Sequence, residues 1–97
     1  MNQAQMMRLR KMQKEMMEAQ ERLEQTVFTG TAGGGVVKVE VKGNHEVVSV
    51  KIDEEAAKDD IEMVQDMVAL AINDANKKIE AETQKSLGGF GAGMGLF

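Results

Sequence analysis

The spacing of apolar residues changes twice along this chain of 97 residues, and these changes limit the folds that it can adopt. Residues 3–25 and the region after residue 59 repeat apolar side chains every three or four positions, as helices do. Residues 27–53 alternate instead with a period of two, and no proline interrupts either helical region. The sequence therefore predicts an α+β fold in which two long helices flank a three-stranded sheet.

The first helix is predicted over about residues 3–25 and carries an apolar seam. Its members follow the alternating three- and four-residue spacing of a coiled-coil helix pair: Leu9, Met12, Met16, Ala19 and Leu23. Thr26 and β-branched Val27 weaken the helical pattern, so the helix is expected to end there.

The central region predicts a hairpin that follows an earlier strand, VFTGTA, with Phe28 toward the core and residues 33–35 as a flexible glycine hinge. A two-residue turn with positive φ at Gly43-Asn44 fixes the register. The predicted pairs are Val41 with Glu46, Val39 with Val48, and Val37 with Val50. This register places the valines of both strands on one face and a polar set on the other: Lys38, Lys42, His45, Ser49 and Lys51.

The second helix is expected to begin after a cap at Asp59 or Asp60 and to carry two apolar stripes. The first stripe comprises Ile61, Val64, Val68, Ala71, Ala75 and Ile79, and the second comprises Met63, Met67 and Leu70. One stripe is assigned to the sheet and the other to a second subunit. Five glycines in residues 88–97 predict a flexible tail after a single domain at residues 1–87, with self-association as the alternative role of its apolar residues.

Composition excludes several classes of function. The chain has no cysteine and one histidine, and no nucleophile, base and orienting residue can be combined, which predicts a protein that is not an enzyme and that binds no metal, cofactor or small-molecule substrate. Its apolar runs are too short for a membrane span, so a cytoplasmic protein is expected. The absence of Trp and Tyr disfavours binding to single strands by base stacking.

Charge is distributed as a gradient along the first helix. Residues 1–14 contain no acid and four cations: Arg8, Arg10, Lys11 and Lys14. Residues 15–26 contain four glutamates and one arginine. A helix with a cationic tip can reach phosphates although the whole chain has a net charge of −4, so these four residues are predicted to contact duplex DNA. Two other sets are candidates to extend this contact: Lys77, Lys78 and Lys85, or Lys38, Lys42 and Lys51.

The opening MNQAQMMRLRKMQKEMMEAQERL, the centre VFTGTAGGGVVKVEVKGNHEVVSVKID and the glycine- and phenylalanine-rich ending resemble the YbaB/EbfC family of bacterial nucleoid-associated proteins over essentially the whole chain. The resemblance implies an antiparallel sheet, a tweezer-shaped homodimer and protruding helices that engage double-stranded DNA. It also implies location at the nucleoid, altered DNA conformation and effects on gene expression.

The nine methionines support a second hypothesis from another class. Thioether side chains adapt to irregular surfaces, so a protein-interaction or chaperone-like homodimer that grips apolar partners is the alternative to DNA binding.

Overall fold

The computed structural model describes residues 2–93, with side chains for residues 2–86. Helix α1 spans Gln3–Gln25, as the apolar spacing predicts. At its start Asn2 and Gln5 form a capping box, in which Asn2 Oδ1 accepts from the Gln5 N–H at 2.8 Å. At its end the Thr26 N–H donates to the carbonyls of Arg22 and Leu23. Local hydrogen bonds therefore cap both ends of the helix.

Three strands follow, namely β1 (Val27–Ala32), β2 (Val37–Lys42) and β3 (Val47–Ile52). They form an antiparallel sheet in the order β1-β2-β3, which confirms the predicted strands and topology. Residues 33–35 form a short 3-10 turn between β1 and β2, and all three glycines have positive φ.

The predicted hairpin register is wrong by two residues over most of its length. Val39 pairs with Val50 and Val37 with Ile52, whereas Val41 pairs with Val47. The register shifts between Glu40 and Val41, so Val48 is the extra residue of a bulge. Side chains on one face of a strand repeat every two residues. A shift of two residues in the pairing therefore leaves Val50 and Ile52 on the predicted face.

The turn has three residues rather than two, which shifts the register by one residue, and the bulge adds the second. The His45 N–H donates to the Lys42 carbonyl, which places Gly43 and Asn44 at the turn centre as predicted. Positive φ falls at His45 (71°), not at Gly43-Asn44. A three-residue loop with a left-handed last residue is a common hairpin connection, and here Asn44 Oδ1 also accepts from the Glu46 N–H.

A short helix, α2 (Glu54–Asp59), precedes α3 (Ile61–Gly93). The sequence pattern predicted one helix here, but Asp60 adopts a non-helical conformation with φ −154° and separates the two. Asp53 caps α2 through Ala56, and Asp60 Oδ1 accepts from the Met63 N–H at 3.1 Å, which confirms Asp60 as the cap of the long helix.

Helix α3 packs across β1 and β2, and the core lies between them. The buried cluster consists of Val37, Val39, Val41, Val64, Ala71, Ala75 and Ile79, with Phe28 packed against it. The helix approaches the sheet most closely at Gly30, where an added Cβ would meet the carbonyl oxygen of Ala71 and lie 2.7 Å from the Ala75 nitrogen. The first apolar stripe thus faces the sheet, apart from exposed Ile61, while Met63 and Leu70 of the second stripe are exposed.

The glycine-rich segment does not end α3 where the sequence predicts. The helix continues to Gly93, because extending an existing helix avoids the cost of nucleation, although each glycine costs about 1 kcal/mol relative to alanine. The division into a domain at 1–87 and a flexible tail stays a prediction, and residues 94–97 of that tail lie outside the described residues.

Two side chains of α3 close the outer edge of the sheet at β1. Asp74 Oδ2 accepts from the Thr31 N–H at 3.0 Å and lies 3.4 Å from Lys78 Nζ. The ammonium of Lys78 donates to the Thr29 carbonyl at 2.6 Å. The hydrogen bond from Thr31, helped by Lys78, lowers the pKa of Asp74 below its ordinary value of 3.8.

Replacing Asp74 is expected to change how stability depends on pH. A carboxyl whose pKa is lower in the folded than in the unfolded state stabilises the fold above about pH 4, and this contribution is lost as the pH falls through the folded pKa. Asp74→Asn should therefore be less stable than the parent at neutral pH and similar to it at about pH 2. Urea unfolding at both pH values measures this difference; an equal deficit at both would contradict the assignment.

Candidate nucleic-acid interface

The base of α1 is held against the hairpin turn. Leu23 is buried, and its carbonyl oxygen lies so close to Gly43 that an added Cβ there would overlap it. The Gly43 N–H donates to the Thr26 carbonyl at 2.9 Å. Glycine at this position lets the last turn of α1 rest directly on the hairpin backbone, which fixes the direction in which the helix leaves the sheet.

Helices α1 and α3 pack against each other near the C-terminal end of α1. One groove is lined by Ala19 and Leu23 of α1 and by Glu82 and Ser86 of α3. Met16 and Ala19 are half-buried, whereas every residue from Asn2 to Glu15 is exposed. The molecule is accordingly 68 Å long and only 22 by 15 Å across. The C-terminal part of the predicted seam therefore packs against α3. The N-terminal half of α1, residues 2–15, is exposed, and we call it the arm.

All four predicted contact residues lie on this arm and are exposed: Arg8, Arg10, Lys11 and Lys14. At about 100° of rotation per residue, Arg10, Lys11 and Lys14 lie within about 100° of one another, with Arg8 about 60° beyond Lys11. The half-buried side of the helix at Met16 and Ala19 lies roughly opposite Arg10 and Lys14, whereas Arg8 lies about 20° from Ala19. Three of the cations thus share a flank directed away from the packed seam, and Arg8 lies between this flank and the seam.

Nearby acids neutralise little of this charge. Lys14 Nζ lies 4.0 Å from Glu18 Oε1, and both side chains are well exposed, so this pair is weak. Glu15 lies four residues from Lys11 but makes no ion pair within 4.0 Å among the described residues. The two remaining glutamates of α1 lie closer to its base. A positive segment about 9 Å long, from Arg8 to Lys14, is therefore followed by a negative segment nearer the sheet.

Lys77 and Lys78, the other two predicted contact residues, are separate from the arm. Lys77 lines a groove formed only by residues of α3, between Leu70 and Glu80. Lys78 is engaged with Asp74 and with the Thr29 carbonyl. The structure thus does not bring these lysines together with the cations of α1, and it assigns Lys78 a part in closing the edge of β1.

Within the described residues, the structure shows neither a metal cluster nor a membrane-spanning helix. His45 is exposed in the hairpin turn and its Nδ1 lies 3.1 Å from Asn76 Oδ1. Residues 2–93 contain no group of three or more side chains suited to holding a metal ion. Among these residues, no helix has the length and apolar content that crossing a membrane requires.

The sequence pattern did not reveal an exposed apolar surface on β3. Three residues of this strand pair with buried valines of β2, namely Val47 with Val41, Val50 with Val39, and Ile52 with Val37. The β2 members are at most 1% exposed, whereas the β3 members are 39–45% exposed. We call Val47, Val50 and Ile52 the open β3 face. It is open because α3 lies over the other two strands, which periodicity does not encode.

Comparison with known proteins agrees with this architecture. The model of the YbaB/EbfC DNA-binding family matches residues 1–94. A nucleoid-associated protein of Legionella pneumophila is 42% identical over 86 residues, which cover 89% of this chain and 77% of the relative. Another, from Lysinibacillus sphaericus, is 52% identical over 70 residues, or 71% of this chain and 67% of the relative.

A solved structure shows the same fold. The crystal structure of an uncharacterized protein from Helicobacter pylori is 34% identical, has a TM-score of 0.69 and covers 91% of this chain and 94% of its own. The exposed cationic arm, the antiparallel sheet and the match along nearly the whole sequence lead to one conclusion: the chain belongs to the YbaB/EbfC DNA-binding family.

Proposed function

We propose that this protein is a nucleoid-associated homodimer that binds double-stranded DNA by contacts between phosphates and the arms of α1. The observation that carries the proposal is the set of four exposed cations on the arm, with no acid among residues 1–14: Arg8, Arg10, Lys11 and Lys14. Guanidinium and ammonium groups contact phosphates whatever the base sequence. The relatives' names, nucleoid-associated protein, support the same location and partner.

Phosphate contact explains how an acidic chain can bind DNA. The net charge is −4, so the body of the protein repels a polyanion. An arm that carries its cations beyond the sheet keeps the DNA away from this acidic body. Two arms that hold phosphates at separate points favour DNA whose shape fits both, which is the basis we propose for altered DNA conformation and effects on gene expression.

The open β3 face supports the homodimer. Val47, Val50 and Ile52 leave apolar area in contact with water, and β3 is an edge strand whose backbone groups are available for pairing. The opposite edge, β1, is already closed by Asp74 and Lys78. A second copy that covers the open β3 face also buries apolar surface, and a domain this small buries little of it alone.

Charges on the open β3 face are expected to separate the subunits. Val50→Lys with Ile52→Lys places unpaired ammonium groups in the proposed interface, so the double variant should have the mass of one chain in light scattering at micromolar concentration. Val27→Lys is the matched control, because Val27 is equally exposed (46%) but pairs with polar Lys42. A double variant that keeps the mass of two chains would rule out this interface.

Salt dependence tests the mode of DNA binding. Two arms carry eight cations, so the logarithm of the affinity should fall with the logarithm of salt concentration with a slope of about −4 to −7. Fluorescence anisotropy with a labelled duplex at several salt concentrations measures the slope. A slope near zero would contradict phosphate contact.

An observation also favours the second candidate, a protein-interaction or chaperone-like module. Met7 and Met17 of α1 are 68% and 62% exposed, and a shallow groove is lined by Gln3, Met6, Met7 and Arg10. Binding of apolar peptides that is insensitive to salt and is lost in Met6→Ser with Met7→Ser would support this function.

A further inference from the structure

Two lysines face each other across the outer surface of the sheet. Lys38 of β2 pairs directly with Lys51 of β3, and both are exposed. Residues opposite one another on antiparallel strands have Cβ atoms about 5 Å apart, and like charges in that position destabilise the sheet. The pair therefore creates a local positive potential that an anion would stabilise.

Two acids border this pair but form no ion pair with it within 4.0 Å. Within the part of the chain that the structure describes, the three ion pairs within 4.0 Å involve Lys14, Lys42 and Lys78, and none involves Lys38 or Lys51. In the next row of the sheet, Glu40 Oε1 accepts from the Ser49 hydroxyl at 3.2 Å. The Asp53 carboxylate, which borders the pair, accepts from the Ala56 N–H.

The surroundings leave room for a large ligand. Lys38 and Lys51 line a shallow groove with Gly35, Val36, Ile52 and Asp53. A Cβ placed on Gly34 or Gly35 would have no atom within 4 Å, so this turn is open to solvent and carries no side chains. A phosphodiester backbone can approach such a surface closely.

We propose that Lys38 and Lys51 form a second phosphate-contacting site for duplex DNA, distinct from the arm of α1. This inference rests on the proposed function. The row of Lys38 lies four residues, or about 13 Å, from the row of Lys42 where α1 joins the sheet. Arg8 is a further 25 Å or so along α1, so one subunit presents two cationic points separated by up to about 40 Å.

Opposite effects on binding and stability test this site. In a 24-base-pair duplex titration, Lys38→Gln with Lys51→Gln should weaken binding about 10-fold to 100-fold at 0.1 M salt and make the salt slope shallower by about 2 to 4. The midpoint of thermal unfolding should stay the same or rise, because the repulsion is removed. Lys38→Arg with Lys51→Arg keeps the charges and should bind like the parent.

A matched single change provides the control. Lys51→Gln is compared with Lys58→Gln, an exposed lysine of α2 with the same change in charge. Equal affinities for these two variants, or parental affinity and slope for the double glutamine variant, would overturn the second site while leaving the arm intact. A lower unfolding midpoint would indicate a structural role instead. A parent that binds no duplex would overturn both the site and the proposed function.

Discussion

Replacing Arg8 and Lys11 by glutamate is expected to weaken binding to duplex DNA by at least about 100-fold at 0.1 M salt. The two reversals change the formal charge of residues 1–14 from +4 to zero, which removes the attraction on which the arm depends. Both side chains are exposed on a helix and make no ion pair within the described residues, so the free energy of unfolding should change by no more than about 0.5 kcal/mol. Anisotropy titration and urea unfolding of the same preparation measure the two quantities.

The control for this prediction is a reversal outside the arm. Arg8→Glu is compared with Lys58→Glu, which changes the net charge equally but lies on α2. If net charge alone governed affinity, these single variants would lose the same amount of binding. The arm assignment would be wrong if the Arg8 and Lys11 double variant bound DNA as tightly as the parent.

Gly30→Ala is expected to cause the largest loss of stability. The new Cβ would meet the carbonyl oxygen of Ala71 and lie 2.9 Å from the Cβ of Ala75, so α3 must move away from the sheet. Overpacking against helix backbone, which has no flexible side chain to yield, should cost about 3 kcal/mol or more. For a domain of this size, that corresponds to a fall of roughly 15 °C in the midpoint of thermal unfolding.

Gly34→Asn separates this steric effect from the general cost of replacing a glycine. Gly34 has φ 68° and open space around its missing Cβ, and asparagine tolerates the left-handed region better than most residues. The midpoint of thermal unfolding of the Gly34→Asn variant should stay close to that of the parent. A Gly30→Ala protein as stable as Gly34→Asn would show that the approach of α3 to β1 is looser than the structure indicates.

Periodicity predicts the elements of this fold because each helix and strand has one buried side. The bounds of α1 and the three strands agree with the sequence pattern for this reason. The hairpin register does not, since a shift of two residues keeps Val50 and Ile52 on the same face. The length of the turn and the bulge at Val48 distinguish the alternatives, and neither the left-handed conformation of His45 nor the bulge follows from the apolar pattern.

The same register error hid the direct pairing of the two lysines in the proposed second site, although the sequence had marked both as candidate DNA contacts. In the predicted pairing Lys38 faces Ser49, whereas in the structure it faces Lys51. Sequence also grouped Lys78 with the DNA contacts, although its ammonium bonds to the Thr29 carbonyl. The charge of a side chain is thus known from sequence, but its partners depend on tertiary geometry. The gradient along α1 was predictable because a single helix carries it.

The most direct test of the central claim is to map the DNA contact residue by residue. Amide chemical shifts of isotope-labelled protein are followed by NMR as a duplex is added. The largest changes should lie at Arg8, Arg10, Lys11 and Lys14, with a second group at Lys38 and Lys51. Changes centred on the open β3 face or on the core, with the arm of α1 unaffected, would contradict DNA recognition by the cationic arm.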